Sequence, residues 1–213
     1  MKLNNMSRAV NEWDKRYSED EYIYGISPNN FLKDSLERYS VKGNILMVAE
    51  GEGRNGVYVA KKGLNVYAFD ISAQAKVKAL RLTEKMDVTI DYKVGDFREL
   101  EWNHDGFDAI VLIYSHFPPE IRTSYFQKMI SLLKNNGYVI FECFSEEHLS
   151  YRDKNPSVGG PNNIELLYSE GFLRGEFNEL DILELKEKEI VLEEGTFHQG
   201  IAKVLRMVAR KSE

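Results

Sequence analysis

Gly51-Glu52-Gly53-Arg54-Asn55-Gly56 matches the spacing G-x-G-x-x-G directly after a short apolar run, and an acid, Asp70, stands nineteen residues beyond Gly51. Glycines there let a backbone approach a ligand closely, and the start of the following helix offers unpaired N–H groups. Such a turn suits either a dinucleotide or S-adenosylmethionine, and charge separates the two. Glu50 and Glu52 stand in the turn. A pyrophosphate beside them meets repulsion of about 1 to 4 kcal/mol per close pair at effective dielectric constants of about 80 to 20. S-adenosylmethionine instead brings a sulfonium and an ammonium beside one carboxylate, so acids become favourable and backbone N–H groups can take the carboxylate. The expected cofactor is therefore S-adenosylmethionine, held by Glu50, Gly51, Gly53 and Asn55. An NAD-dependent oxidoreductase is the disfavoured alternative. A surface turn with capping acids explains the glutamates but not the acids at the next strand tips.

Further candidates follow apolar runs. Asp70 suits two ribose hydroxyls, with Ile71 or Ser72 beside the adenine; a cap for the helix beginning at Ser72 is the other role open to it. Asp96 suits the exocyclic amine of the adenine with Phe97 against the ring; a turn residue beside a core phenylalanine is the alternative. Tyr114 and His116 follow the fourth run and face the position expected for the methyl group. His116 and His198 are the candidate catalytic residues, either as orienting groups or as bases. A backbone-bound helix-start histidine competes with the first. Arg122 and Arg152 are solvated or draw an anionic substrate. His104 and His148 read as surface residues and Cys143 as core. Four dispersed histidines and one cysteine give no metal-ligand spacing.

The elements that position these residues alternate. Strands are expected over 44–49, 64–69, 88–94, 107–113 and 137–144, with helices over 55–62, from a Ser72 cap to Met86, and from Pro118-Pro119 to Leu133. Strand–helix alternation predicts an α/β, doubly wound parallel sheet whose ligands sit beyond the carboxyl ends of its strands. Residues 145–162 read as loop and 163–174 as a helix interrupted by Gly171. Strands over 181–192 and 200–210 then form a C-terminal antiparallel hairpin, completing a seven-stranded, mostly parallel sheet. The first 40 residues suggest one or two helices; Trp13, Tyr17, Tyr22 and Tyr24 form either an aromatic lid over the cofactor or ordinary packing.

At 213 residues with 43% hydrophobic and 29% charged side chains, the chain has the balance of a folded domain rather than a disordered one. No apolar run reaches the roughly 18 residues that span a bilayer, and the first residues lack a signal-type apolar core. A single cysteine fits a reducing compartment, so the cytoplasm is expected. A formal net charge of −6 disfavours nucleic acid as a partner. The basic run Lys76, Lys78, Arg81 and Lys85 reads as the solvated face of a helix. No membrane association is expected, and oligomeric state stays open.

With these residues in place, the sequence resembles the class I S-adenosylmethionine-dependent methyltransferases, and more closely the branch of the tellurite-resistance and thiopurine methyltransferases. The resemblance rests on Trp13-Asp14-Lys15-Arg16-Tyr17, Tyr24-Gly25, Pro28-Asn29, Ala49 to Asn55, Asp70, Gly95-Asp96, Leu133 to Tyr138, Gly159-Gly160-Pro161 and Glu194 to Gly200. It implies a Rossmann-like fold in a single domain over 1–213, with a lid at 1–40, a cofactor core at 41–145 and substrate elements at 146–213. It also implies a small-molecule methyl acceptor: a thiol, a chalcogen oxyanion or a small metabolite. A non-catalytic S-adenosylmethionine-binding module serving a protein partner is the competing reading. Met47 and Ala49 depart from the commonest form of the turn, which shifts more of the cofactor's binding onto Glu50 and the backbone.

Overall fold

The computed structural model describes residues 2–102 and 106–213, with side chains from residue 7 onward. Strands β1 (Asn44–Val48), β2 (Asn65–Asp70), β3 (Asp91–Val94), β4 (Phe107–Ile113), β5 (Leu133–Phe144), β6 (Asp181–Glu194) and β7 (His198–Arg210) form one sheet in the order β3-β2-β1-β4-β5-β7-β6. Pairing is parallel from β3 through β5; β7 runs antiparallel to both β5 and β6. This is the mostly parallel, doubly wound sheet with a closing hairpin that the alternation predicts. Strand order reverses direction between β1 and β4, so their carboxyl ends flank the crevice in which such sheets bind ligands.

Helices α1 (Lys2–Tyr17), α2 (Asn30–Arg38), α3 (Arg54–Lys61), α4 (Ala73–Met86), α5 (Pro119–Leu132), α6 (His148–Lys154) and α7 (Glu170–Glu176) cover the two faces. One face packs Leu46, Ile110, Phe141 and Met207 with Phe126 and Phe177; the other packs Ile45, Val111, Ile140 and Val208 with Leu32 and Val59. Alternation along each strand assigns successive residues to opposite faces. Ser72 caps α4 as expected, its Oγ accepting the Ala75 N–H at 3.0 Å.

Three expectations are corrected. β3 starts at Asp91 rather than Val88, because Asp87 leaves α4 in the left-handed conformation (φ 53°) and residues 88–90 carry the return. The segment 145–162 holds α6 and a short 3-10 turn, Pro156–Val158, rather than loop alone. The helix expected over 163–174 divides into a 3-10 turn, Ile164–Leu166, and α7. Its interruption falls at Tyr168, which bridges to Ser145 in extended form, and at Ser169, which caps α7; Gly171 lies inside that helix.

Candidate active site

The chain leaves β1 through a turn in which Ala49, Gly51 and Gly53 all have positive φ (49°, 63° and 89°). Glycine is required at two of these positions. A Cβ on Gly53 would lie 2.9 Å from the Ala79 backbone, and one on Gly51 would lie 2.9 Å from the Tyr17 hydroxyl. Three side chains clamp the turn. Asp70 accepts the Gly51 and Ser72 N–H groups at 3.0 and 2.9 Å, and the Tyr92 hydroxyl donates to the Gly51 carbonyl at 2.7 Å. Glu50 turns back onto α3 and accepts the Gly56 N–H at 2.6 Å. Burial pushes Glu50 up to about 7 and Asp70 up to about 6, because a charged carboxylate is costly out of water. Among the described residues neither forms an ion pair. Asp70 thus braces the turn, while the cap of α4 is the Ser72 hydroxyl.

The glutamates of the turn differ from expectation. Glu52 is neutralised by Lys78, whose Nζ lies 2.5 Å from its Oε1. Lys78 is 4% exposed rather than solvated, and its ammonium also reaches the carbonyls of Glu19 and Glu21 at 2.7 and 2.5 Å. It staples the segment after α1 to α4. Asp14 docks α1 on the same helix, accepting the Ser72 hydroxyl at 2.6 Å and the Gln74 N–H at 3.2 Å. Trp13 stacks on Tyr17, whose hydroxyl lies beside Gly51, and both pack with Ile23, Tyr24 and Ala75 in one cluster.

Asp96 and Phe97 are not disposed as an adenine pocket. Arg98 and the Tyr125 hydroxyl claim the Asp96 carboxylate, and the Arg98 pairing holds it below the usual carboxylate range. Phe97 is fully buried and stacked on Phe69 at 4.6 Å, on the core side of the sheet. Ile71 is half-buried just beyond the end of β2.

Across the crevice, Tyr114 leaves β4 with φ 54°, an unusual conformation for a bulky residue. Its hydroxyl donates to Glu142 at 2.7 Å. Glu142 is 0% exposed and accepts two further donors, Asn29 Nδ2 at 2.6 Å and Arg206 Nε. Asn55 anchors the same region by accepting the Asn29 N–H at 2.9 Å. Beside this cluster Glu194 takes Arg54 at 2.8 Å and His198 Nδ1 at 3.0 Å. Those partners hold Glu194 down to about 2 despite burial. His198 packs between Tyr24 and Tyr114, with ring centroids 4.6 and 4.8 Å away, and burial pushes it below the ordinary histidine value. Tyr24, Asn29, Arg54, Tyr114, Glu142 and Arg206 line a chamber of about 240 Å³.

Sequence reasoning named Tyr24, Tyr114 and His198 but gave Glu142, Glu194, Arg54 and Arg206 no role. The only signal for Glu142 and Arg206 was their charge on strands whose neighbours are apolar, since long-range pairing has no sequence period. His116 is corrected. Its Nδ1 bonds the Leu166 carbonyl at 2.7 Å and its Nε2 accepts the Phe144 N–H at 3.3 Å. Burial holds it down to about 4, so it is a neutral backbone brace with no nitrogen left for proton transfer. His148 is buried rather than on the surface, with both nitrogens bonded to backbone; His104 lies outside the described residues. Cys143 is core, its thiol pushed up by burial. Arg122 stacks over Phe172 and donates to the Glu165 carbonyl, and Arg152 donates to the Gly160 carbonyl.

Comparison with known proteins agrees with this geometry. Residues 45–137, from β1 to the entry of β5, match the family model described as a methyltransferase domain. The match to a methyltransferase domain spans less than half of the chain. The methyl donor of that domain is S-adenosylmethionine. A tRNA (uracil(54)-C(5))-methyltransferase of Pyrococcus furiosus is 28% identical over 138 residues, covering 59% of this chain and 32% of that protein. A Geobacillus sp. (strain WCH70) protein named as a methyltransferase is 29% identical over 140 residues, covering 62% and 55%. The chain therefore spans about a third and about half of the length of these relatives. In fold it is similar to a structure solved for conversion of a disulfide bond into a thioacetal group during echinomycin biosynthesis (TM-score 0.75, 16% identity, 96% of this chain and 92% of that one). It is also similar to magnesium protoporphyrin IX methyltransferase from Synechocystis PCC 6803 with bound SAH (TM-score 0.70, 15% identity, 97% and 99%). TehB from Haemophilus influenzae aligns with TM-score 0.68, 18% identity, 95% and 67% coverage.

Proposed function

We propose that the protein transfers the methyl group of S-adenosylmethionine to a small molecule, as an active enzyme of the tellurite-resistance and thiopurine methyltransferase-like branch. One observation carries this reading: two buried carboxylates, Glu50 and Asp70, flank a glycine turn and have no ion-pair partner among the described residues, Arg54 acting on Glu50 only from beyond pairing distance. A donor carrying sulfonium and ammonium charge supplies what they lack, and a pyrophosphate would aggravate it. When bound, S-adenosylmethionine supplies an already activated methyl group. The chain's own residues then bind and orient. Asp70 takes the ribose hydroxyls with its remaining lone pairs, and the turn from Gly51 to Gly53 admits the methionine end. Tyr17 and Tyr24 keep water out from the N-terminal side. Positioning of this kind is worth up to about 7 to 11 kcal/mol of barrier.

The chamber between residues 24–30 and the β6–β7 turn is suited to a metabolite-sized acceptor. The net charge of −6 argues against a polyanion, although the Pyrococcus relatives are named for tRNA. The sole cysteine, buried and reduced, is compatible with a cytoplasmic setting. No helix among the described residues is long and apolar enough to cross a membrane.

Calorimetry with S-adenosylmethionine and S-adenosylhomocysteine tests the cofactor, with micromolar binding expected. Tight NAD binding with neither of these bound would overturn the reading. A turnover screen over thiols, phenols, selenite, tellurite and bulk tRNA then tests the acceptor. Methylation of tRNA alone would overturn the small-molecule assignment, and cofactor binding without any turnover would favour a binding module.

A further inference from the structure

The hairpin that closes the sheet carries a constellation that cofactor binding does not use. His198 and Glu194 face each other across the β6–β7 turn, with Nδ1 to Oε2 at 3.0 Å. Glu194 is itself fixed by Arg54 at 2.8 Å, so it cannot swing away from the imidazole. A carboxylate on Nδ1 fixes the tautomer, placing the proton there and the basic lone pair on Nε2. Among the described residues Nε2 has no hydrogen-bond partner. The other two described histidines differ, because both spend both nitrogens on backbone groups.

The Nε2 edge of the ring packs against a glycine backbone. Gly159 lies against this edge of the ring with φ 72°, and a Cβ there would sit 2.7 Å from Cδ2 and 3.2 Å from Nε2. Phe144 crosses the ring edge-on at 5.5 Å, while Tyr24 and Tyr114 hold its faces. The imidazole is also near the glycine turn. Tyr24 donates its N–H to Glu52 of that turn at 3.4 Å, and Ser115, next to Tyr114, donates to the Val48 carbonyl at 2.9 Å.

We propose that His198, oriented by Glu194, is the general base that takes the proton of the methyl acceptor, and that the acceptor is a hydroxyl or thiol protonated at neutral pH. The inference rests on the methyltransferase reading and narrows it, since a chalcogen oxyanion attacking through its chalcogen lone pair carries no proton on the attacking atom. The acceptor's oxygen or sulfur lone pair forms the new bond to the methyl carbon as the methyl–sulfonium bond breaks, its electron pair staying on the leaving sulfur. The acceptor's proton passes to Nε2, and the imidazolium returns it to water. Glu194 is a positioning residue that also stabilises this imidazolium. The charged and titratable groups facing His198 are Glu194 on β6, Arg54 on α3, Glu142 on β5, Tyr24, Tyr114, and the neutral His116 and His148. Arg54 opposes protonation and the two glutamates favour it, which leaves a base that is free at pH 7.

Long-range proton–nitrogen spectra of the full chain with ¹⁵N-labelled histidine give the first readout, with the His198 signals assigned by their loss in His198→Gln. The neutral Nδ1–H tautomer is expected at pH 7, and Glu194→Gln should lose that preference. An Nε2–H tautomer in the wild type would overturn the proposal. Kinetics on 2-mercaptoethanol, 4-methylphenol, selenite and tellurite give the second. His198→Gln should lower kcat on the protic acceptors about 100-fold or more, with S-adenosylhomocysteine affinity within about twofold of wild type by calorimetry. Glu194→Gln should move the acid limb of the pH–rate profile to lower pH. Equal turnover by wild type and His198→Gln, or wild-type turnover confined to selenite and tellurite, would sink the base assignment. Failure of the wild type to bind S-adenosylhomocysteine would instead strike the methyltransferase reading.

Discussion

Two ends of one crevice treat buried carboxylates in opposite ways. At the β1–β2 end, Glu50 and Asp70 meet backbone N–H groups and form no ion pair among the described residues, and burial raises them to about 7 and about 6. At the β5–β7 end, Glu142 and Glu194 are met by Arg206 and Arg54, and Glu194 stays near 2. The first end is electrostatically incomplete without a ligand. The second is complete by itself and acts as a rigid support. Charge missing from a protein's own accounts marks where a cationic ligand belongs, and charge fully matched marks what holds the neighbouring groups in place.

The largest effect should come from unbalancing the complete end. Arg54→Met leaves Glu194 with His198 and a long Asn29 hydrogen bond, and breaking a buried pair from one side costs about 3 kcal/mol. Urea denaturation at pH 7 should show that loss; a change below about 1 kcal/mol would mean that Arg54 does not hold Glu194. The pH dependence follows from the lowered carboxylate. Glu194 contributes stability above its unfolded value of 4.5, and that stability is lost as pH falls toward about 2. Arg54→Met should blunt this acid limb.

Next in size is Asp70→Asn. Hydrogen bonds to a charged group are worth about 1.5 to 3 kcal/mol, so S-adenosylmethionine should bind roughly 10- to 100-fold more weakly by calorimetry. Unchanged affinity would mean that Asp70 only braces the turn. Glu50→Gln is smaller and opposite in sign for stability. The folded-state value of Glu50 is raised, so its ionisation is resisted by the fold and stability falls as pH climbs from 4.5 to about 7. Thermal melts at pH 8 should place the glutamine variant on the order of 1 to 2 kcal/mol above wild type, with the two converging near pH 4. The finest test is proton release. A cationic donor should draw Glu50 and Asp70 downward, so S-adenosylmethionine should release protons on binding at pH 6.5 more than uncharged-sulfur S-adenosylhomocysteine does. Calorimetry in buffers of different ionisation enthalpy reads the difference, and equal release by both would erase the contrast between the two ends.

Local chemistry was legible in the sequence, and pairing across the chain was not. The strand–glycine turn–helix unit, the Ser72 cap and the acid at the tip of β2 each depend on neighbours within a few residues, so spacing exposes them. Lys78 looked like part of a solvated helix face because helical spacing cannot reveal that residues 19–21 return to bury it. Asp96 and Phe97 occupy the right place in the chain for adenine, but Arg98 two residues on captures the carboxylate. The network of Glu142 joins residues 29, 114, 142 and 206, whose meeting depends on the whole strand order. His198 stood out as a histidine in a turn; its carboxylate partner four residues earlier needed the hairpin register to become visible.

The closing hairpin has a further consequence. β6 is the outermost strand, with one side of its backbone open to other molecules, and it is 14 residues long. Exposed edges of that length invite strand-to-strand recruitment. Along β6 the run Glu184, Lys186, Glu187, Lys188 and Glu189 interleaves opposite charges, and Glu184 and Glu187 are tied across to Arg38 and Lys203. A second copy laid beside this strand would have to bury those charges, which guards the chain against aggregation through its longest unpaired border.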